Sequence, residues 1–412
     1  MDTHGPAPGE IMRDALALYR RLHADPELSG AEERTAAAFA GRLRRAGFDV
    51  TTGVGGHGVV GRLTNGDGPT VLLRAELDAL PIGERTGLPY ASTVQAQDVD
   101  GTTTAVMHAC GHDLHLAALV GAAETLSADR HGWRGTLLAV GQPAEETLTG
   151  AAAMIDDGLL HRWGRPDIAL AQHCAPLPAG MIAHGDLMTA ACVTLEITID
   201  GVGGHTALPQ LGIDPLLAAA LTVVQLQTVR TQQVDPSEPA VLTVGRLSAG
   251  VRANVIADSA SIGVTMRAHS ATTLTRMREA VERIARATCA AAGTPGEPRI
   301  RVIAQTPANR PDPPAAGRVR TAHVDAFGAA RVCRWPPSLA ADDFSTFTTG
   351  GVPTAYWMLG TIGPAQWRTT AFTQLPANHS PHFAPHAPIA LPTGIKALTT
   401  AARAWLQPQD QR

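Results

Sequence analysis

The chain has 412 residues, too many for one compact core, so about two domains are expected. Hydrophobic residues make up 44% and charged residues 17%, an ordinary globular balance, and aromatics at 4% leave the cores to Ala, Val, Leu and Ile. A net charge of −4 without a basic run excludes a nucleic-acid groove, and no apolar stretch reaches the ~18 residues of a membrane span. The start, MDTHGPAPGE, carries no apolar export core. Five scattered cysteines do not suggest a disulfide framework, and a cytoplasmic protein is expected.

Residues 11–46 read as a helix pair broken at the turn signal DPELSG. FDVTTG, GVVGRLT and PTVLLRAELD follow as strands split by glycines and by NGDG. The pentapeptide GVGGH occurs twice, at 53–57 and 201–205, and the first copy completes a G-x-G-x-x-G pattern. A dinucleotide loop must leave a strand and open a helix, whereas here strand and turn follow, so the first copy reads as a hairpin loop. HLAALVGAAETLSA (115–128) is a helix for which Asp113 is the expected cap. GTLLAVGQ (135–142), PDIALAQH (166–173) and PTAYWMLG (353–360) are buried strands, and their alternation with helices predicts a mostly parallel sheet covered on both faces.

The middle of the chain differs. CVTLEITIDG (192–201) alternates strictly, giving a strand with one wet face. Asp214-Pro215 opens a helix with Asp as cap and Pro in the first turn. Strands AVLTVGRLS and SASIGVTMRA follow, then a helix from about Thr272 to Ala291. The expectation is α/β: one domain of residues 1–188 and 303–412, with an α+β domain inserted at 189–302.

Polar clusters sit at the carboxyl ends of the buried strands, where parallel sheets bind ligands. They are Glu76 and Asp78, Glu145 and Glu146, and His173; His108-Ala-Cys110-Gly-His112-Asp113 precedes a helix at the same edge. Taken alone, Cys110 is a small buried hydrophobe and His173 a hydrogen-bonded strand-end residue. Their joint occurrence on one edge is what a divalent metal site requires. Adjacent Glu145 and Glu146 point different ways from extended backbone, so one is suited to ligation and the other to proton transfer.

In this order LRAELDALP, MHACGHD, GQPAEE, QH, GVGGHTALP and NHSP resemble the metal-dependent aminoacylase and carboxypeptidase family, in the amidohydrolase branch that includes hippurate hydrolases and indole-acetyl-amino-acid hydrolases. The likeness runs from RRLHADPELSGAEERTA to NHSPHF. It implies two divalent ions per subunit, zinc or manganese before cobalt or nickel, held by Cys110, His112, Glu146, His173 and His379. Glu145 resembles the catalytic base, and His205, in the second GVGGH, the residue that holds the reacting carbonyl, in many members from the partner subunit. Asn254 and Arg267 match positions that contact the substrate carboxylate, and Asp78 an anchor behind a ligand histidine. The implied reaction is hydrolysis of an N-acyl amino acid or related amide by metal-activated water in the larger, catalytic domain, with the inserted domain acting as a lid and forming a homodimer. The resemblance leaves a dipeptidase or metallocarboxypeptidase as the alternative; a non-catalytic binding protein on the same scaffold would lack one of these residues. No G-x-S-x-G elbow is present, which disfavours a serine hydrolase. The sequence departs from the family at Glu76 (usually Asp), Thr147 (usually Gly), Cys174 (usually apolar) and Asp342 (usually Glu), and STVQAQDVDGTTTAVMHACGHD (92–113) is longer than the short form of its motif.

Overall fold

The computed structural model describes residues 7–98 and 101–406. The chain divides into two units: residues 1–188, 310–336 and 343–412 in the larger, and 189–309 with 337–342 in the smaller.

The larger unit opens with helices α1 (Pro8–Ala24) and α2 (Glu33–Arg45), whose apolar stripes join its core. Strands β1 (Asp49–Val54) and β2 (Gly58–Asn65) form an antiparallel hairpin closed by the first GVGGH, as its surroundings predict. Strand β3 (Thr70–Glu76) is buried almost throughout. Helix α3 (His112–Ala128) is apolar on nearly every side and buried over most of its length, as a helix enclosed by its own domain must be. Strand β4 (Gly135–Gln142), helix α4 (Gly150–Asp156), and strands β5 (Ile168–Pro178) and β6 (Ile182–His184) follow.

The smaller unit begins with β7 (Ala191–Asp200), whose residues alternate between buried and half-buried as the sequence requires. Asp214 accepts the Leu216 N–H at 2.9 Å and caps α5 (Pro215–Gln232), with Pro215 in the first turn. Strands β8 (Ala240–Ala249) and β9 (Ser259–Ala268), helix α6 (Ala271–Ala292) and strand β10 (Arg299–Thr306) complete it. The sheet is antiparallel in the order β8-β9-β7-β10. Because β10 pairs with β7, the chain returns to the larger unit at residue 310, later than the expected 303. Val193, Leu195, Ile197 and Ile199 face a separate core shared with both helices.

Back in the larger unit lie α7 (Pro313–Phe327), β11 (Val332–Arg334), β12 (Thr354–Ile362) and α8 (Ala387–Leu406). The completed sheet has eight strands in the order β1-β2-β4-β3-β5-β12-β6-β11. Its centre, β4-β3-β5-β12, is parallel; β2 joins β4 and β6 joins β12 in antiparallel pairing. This is the expected α/β class. Among the described residues, no helix is long and apolar enough to cross a membrane.

The expected helix cap does not form at Asp113. Gly111 occupies the N-cap at φ 88°, α3 begins at His112, and Asp113 lies inside the first turn. Its carboxylate accepts from His23 Nδ1 at 2.7 Å, and His23 Nε2 reaches Glu84 at 3.0 Å. Burial lowers the His23 pKa, but the bonds to Asp113 and Glu84 outweigh it and raise it to about 10. A buried ion pair has taken the carboxylate that a cap would have used.

Candidate metal centre

Parallel pairing of β3 with β4 ends at Glu76 opposite Gln142, and the register with β5 brings His173 to the same edge. Strand β5 itself continues to Pro178, so His173 is not the end of its strand. Here loops from three distant parts of the sequence meet. The His112 ring donates from Nδ1 to the Asp78 carbonyl at 2.8 Å, with Asp78 Oδ1 at 3.3 Å. That fixes the ring's orientation and turns Nε2 to the site, 3.6 Å from Glu145 Oε2 and 3.8 Å from Glu146 Oε1. His173 donates from Nδ1 to the Cys174 carbonyl at 2.9 Å, and its Nε2 lies 3.4 Å from Cys110 Sγ. His379 Nε2 is 3.4 Å from Glu146 Oε2.

Among the described residues, four donor groups have ligand atoms within 4.8 Å of one another: Cys110/Glu146/His379 and His112/Glu145/Glu146, which share Glu146, together with Glu76/His112/His115/His173 and Glu145/Asp342/Asp343. Soft thiolate, imidazole and carboxylate together suit a first-row divalent cation. His112 Nε2 and Glu146 Oε1 are buried without a hydrogen-bond partner, which a cation would supply. Protonation tells the same story. Burial and the charges of Glu146 and Glu145 push the Cys110 thiol well above its usual range. Burial opposes a charge on His112, yet Asp78, Glu76 and Glu146 raise its pKa to about 10. The pocket is negative enough to retain protons where a dication would replace them.

The backbone is strained here. Among the described residues, the non-glycine residues at positive φ are Ala144 (51°), Leu148 (55°) and His379 (67°). Two flank the glutamate pair and the third is a candidate ligand. Such residues cost about 1–3 kcal/mol each and cluster at functional sites. Gly111 meets a related demand: a Cβ there would lie 2.8 Å from Cys174 Sγ, so only glycine lets Cys110 and His112 turn towards one point.

Sequence reasoning missed much of the support. Asn378 donates to the carbonyls of Cys110 and Cys174 at 3.2 and 3.3 Å. Glu76 accepts from His115 Nδ1 at 2.8 Å, and His115 Nε2 accepts the Cys174 N–H at 2.8 Å. Arg74, almost fully buried, bonds Glu76, Gln142 and Asp343. His-x-x-His spacing on one helix face was the only available signal for His115, and the neighbouring ligand the only one for Asn378. His108, within the same motif, is buried and joins none of these donor groups.

The remaining predicted residues belong to the smaller unit. His205 is exposed on a two-residue ribbon where it pairs with Val255, beside Asn254, whose carbonyl accepts from Thr206 Oγ1 at 3.3 Å. Arg267 is the penultimate residue of β9, opposite Cys192, with Nη1 3.2 Å from the Leu339 carbonyl. His205 and Asn254 adjoin the start of β9 and Arg267 its end. The eight residue steps between Ser259 and Arg267 amount to about 26 Å.

Thiolate, imidazole and carboxylate donors at the carboxyl edge of an α/β sheet are the equipment of a metallohydrolase. The chain belongs to peptidase family M20/M25/M40, whose model matches residues 72–404. It is 33% identical over 367 residues to an N-acetyl-L-cysteine deacetylase of Bacillus subtilis, spanning 88% of this chain and 84% of that protein. It is 37% identical to the hippurate hydrolase of Campylobacter jejuni over 61% of this chain and 63% of that one. A dinuclear metal-binding peptidase of this family from Bacillus subtilis has the same fold, with TM-score 0.72, 26% identity, and coverage of 96% of this chain and 98% of that one.

Proposed function

We propose that the protein is a metal-dependent amidohydrolase that splits an N-acyl amino acid, or a related N-acyl amine, into a carboxylic acid and an amine. The observation that carries this is Glu145: a buried carboxylate 3.6 Å from His112 Nε2 and next to Glu146, which two donor groups share. The amide-cleaving names of the two sequence relatives support the substrate class. Cys110, His112, Glu146, His173 and His379 would hold two divalent cations, with zinc or manganese the preferred metals. When bound, such a pair acidifies water and polarises a carbonyl. Glu145 removes the proton of the attacking water and passes it to the departing nitrogen. Asp78 holds the His112 ring so that Nε2 faces the site. Arg267 clamps the carboxylate of the amino-acid portion, Asn254 assists, and His205 donates to the carbonyl oxygen as it gains charge.

His205 and Asn254 are separated from Arg267 by more than their side chains span, so in one chain they cannot grip one small substrate. We therefore take the working form to be a homodimer in which each inserted domain lends His205 and Asn254 to the other subunit's site. Leu217, Leu221 and Val224 support this: they lie one turn apart on α5 and are 56%, 46% and 67% exposed. Strand β8 beside them is an open sheet edge. Cytoplasmic residence is part of the proposal, supported by five cysteines that are all free thiols.

The test incubates zinc- or manganese-loaded protein with acyl amino acids and dipeptides, with Glu145→Gln as control. Cleavage of acyl amino acids, lowered about 10²–10⁴-fold in Glu145→Gln, is expected; cleavage of dipeptides alone would make the protein a dipeptidase. Bound metal should number two per chain. Leu221→Asp with Val224→Asp should halve the mass in light scattering and abolish turnover.

A further inference from the structure

The turn between α1 and α2 has no part in the mechanism above, yet it touches both sides of the glutamate pair. Glu32 is fully buried. Its Oε1 accepts the Gly30 N–H and the Ala144 N–H, each at 2.8 Å, while Oε2 is buried without a partner. Ala144 is the left-handed residue that aims Glu145. Three residues earlier in the turn, Ser29 Oγ donates to Asp78 Oδ2 at 2.7 Å, and the same oxygen accepts the Glu146 N–H at 2.9 Å. The turn is itself anchored: the Glu27 carboxylate accepts the N–H groups of Arg34 and Thr35 at 3.1 and 2.7 Å, and the Thr35 hydroxyl at 2.9 Å.

We propose that this turn is the positioning element of the site, with Glu32 setting the aim of Glu145 through the Ala144 peptide, and Ser29 setting Glu146 through Asp78. The proposal rests on the reading of Glu145 as base and Glu146 as ligand. The N–H of the left-handed Ala144 has its acceptor in Glu32, 112 residues away in the chain, which holds this peptide in its disfavoured conformation. Burial pushes the Glu32 carboxyl up. An unpartnered, desolvated carboxylate oxygen contributes nothing to packing that a neutral side chain would not, so the acceptor bond is its use. Because Oε1 alone makes both bonds, an amide oxygen is able to replace it.

The experiment compares Glu32→Met, Glu32→Gln and Ser29→Ala with the parent, each metal-loaded and assayed on an N-acyl amino acid. Glu32→Met keeps the volume and removes the acceptor. It should lower kcat about 10–100-fold with KM and bound metal unchanged, and shift the acid limb of the kcat–pH profile. Glu32→Gln should restore most of kcat. Ser29→Ala should weaken metal retention about 10-fold in competition with a chelator. Unchanged kcat and pH profile in Glu32→Met, with only thermal stability reduced, would make Glu32 merely structural and overturn the proposal. So would Glu32→Gln as slow as Glu32→Met, since charge and not the acceptor bond would then matter. Full turnover in Glu145→Gln, measured alongside, would instead reject the reading of the base itself.

Discussion

The two GVGGH segments are the same five residues in two unlike places. In the first, Gly53, Gly55 and Gly56 all have positive φ, and Val54 is buried. A Cβ on Gly55 would lie 2.4 Å from the Met154 backbone nitrogen. These glycines turn a hairpin against α4. In the second, no residue has positive φ, and Val202 and His205 are exposed. Neighbouring elements, not the pentapeptide, decide whether its glycines turn a hairpin or lead into an exposed ribbon that ends at His205.

The comparison is tested hardest by exchanging the histidines for alanine. His205→Ala should lower kcat about 10²–10³-fold with folding and metal content intact; His57→Ala should be close to the parent, and equal effects would erase the distinction. Next come the glycines. Gly55→Ala should destabilise the protein by about 3 kcal/mol, from overpacking and a left-handed φ. Gly204→Ala, with nothing within 4 Å of the added Cβ, should stay within about 0.5 kcal/mol by denaturant titration.

The smallest effects concern what surroundings do to buried histidines. His184 Nε2 and His323 Nδ1 lie 3.0 Å apart, and burial lowers their pKa values to about 3 and about 4. Between these values and the ordinary 6.5 the unfolded chain binds more protons, so their contribution fades as pH falls below 6.5. His23, raised to about 10, does the reverse: its contribution is full below 6.5 and is lost as pH rises towards 10. Thermal midpoints should therefore peak near neutral pH. His23→Gln should flatten the alkaline slope, by about 2–4 °C, and leave the acid slope alone.

Much of the fold was legible because its signals are local. The strict alternation of 192–200, the Asp214-Pro215 cap and the continuous apolar strands each need only a short window. The candidate donors stood out for the same reason, since CGH and PAEE each set reactive residues side by side. What escaped reading depends on contacts across the chain. Glu32 meets Ala144 and Arg74 meets Asp343, 112 and 269 residues apart. Asp113 looked like a cap because its pairing with His23, 90 residues away, leaves no local trace. Strand β10 (RIRVIAQT) likewise gives no local sign of its partner, β7.

The three left-handed residues around the glutamate pair and His379 carry a consequence for purification. Their N–H groups are held by Glu32 Oε1 and by the Glu145 and Ala109 carbonyls, bonds that the protein makes by itself, so stripping with a chelator should leave the hollow standing and allow quick, repeatable reloading. Replacing Ala144 or Leu148 by glycine would relieve that tension and yield a sturdier but slacker mould, one that accepts metals less selectively.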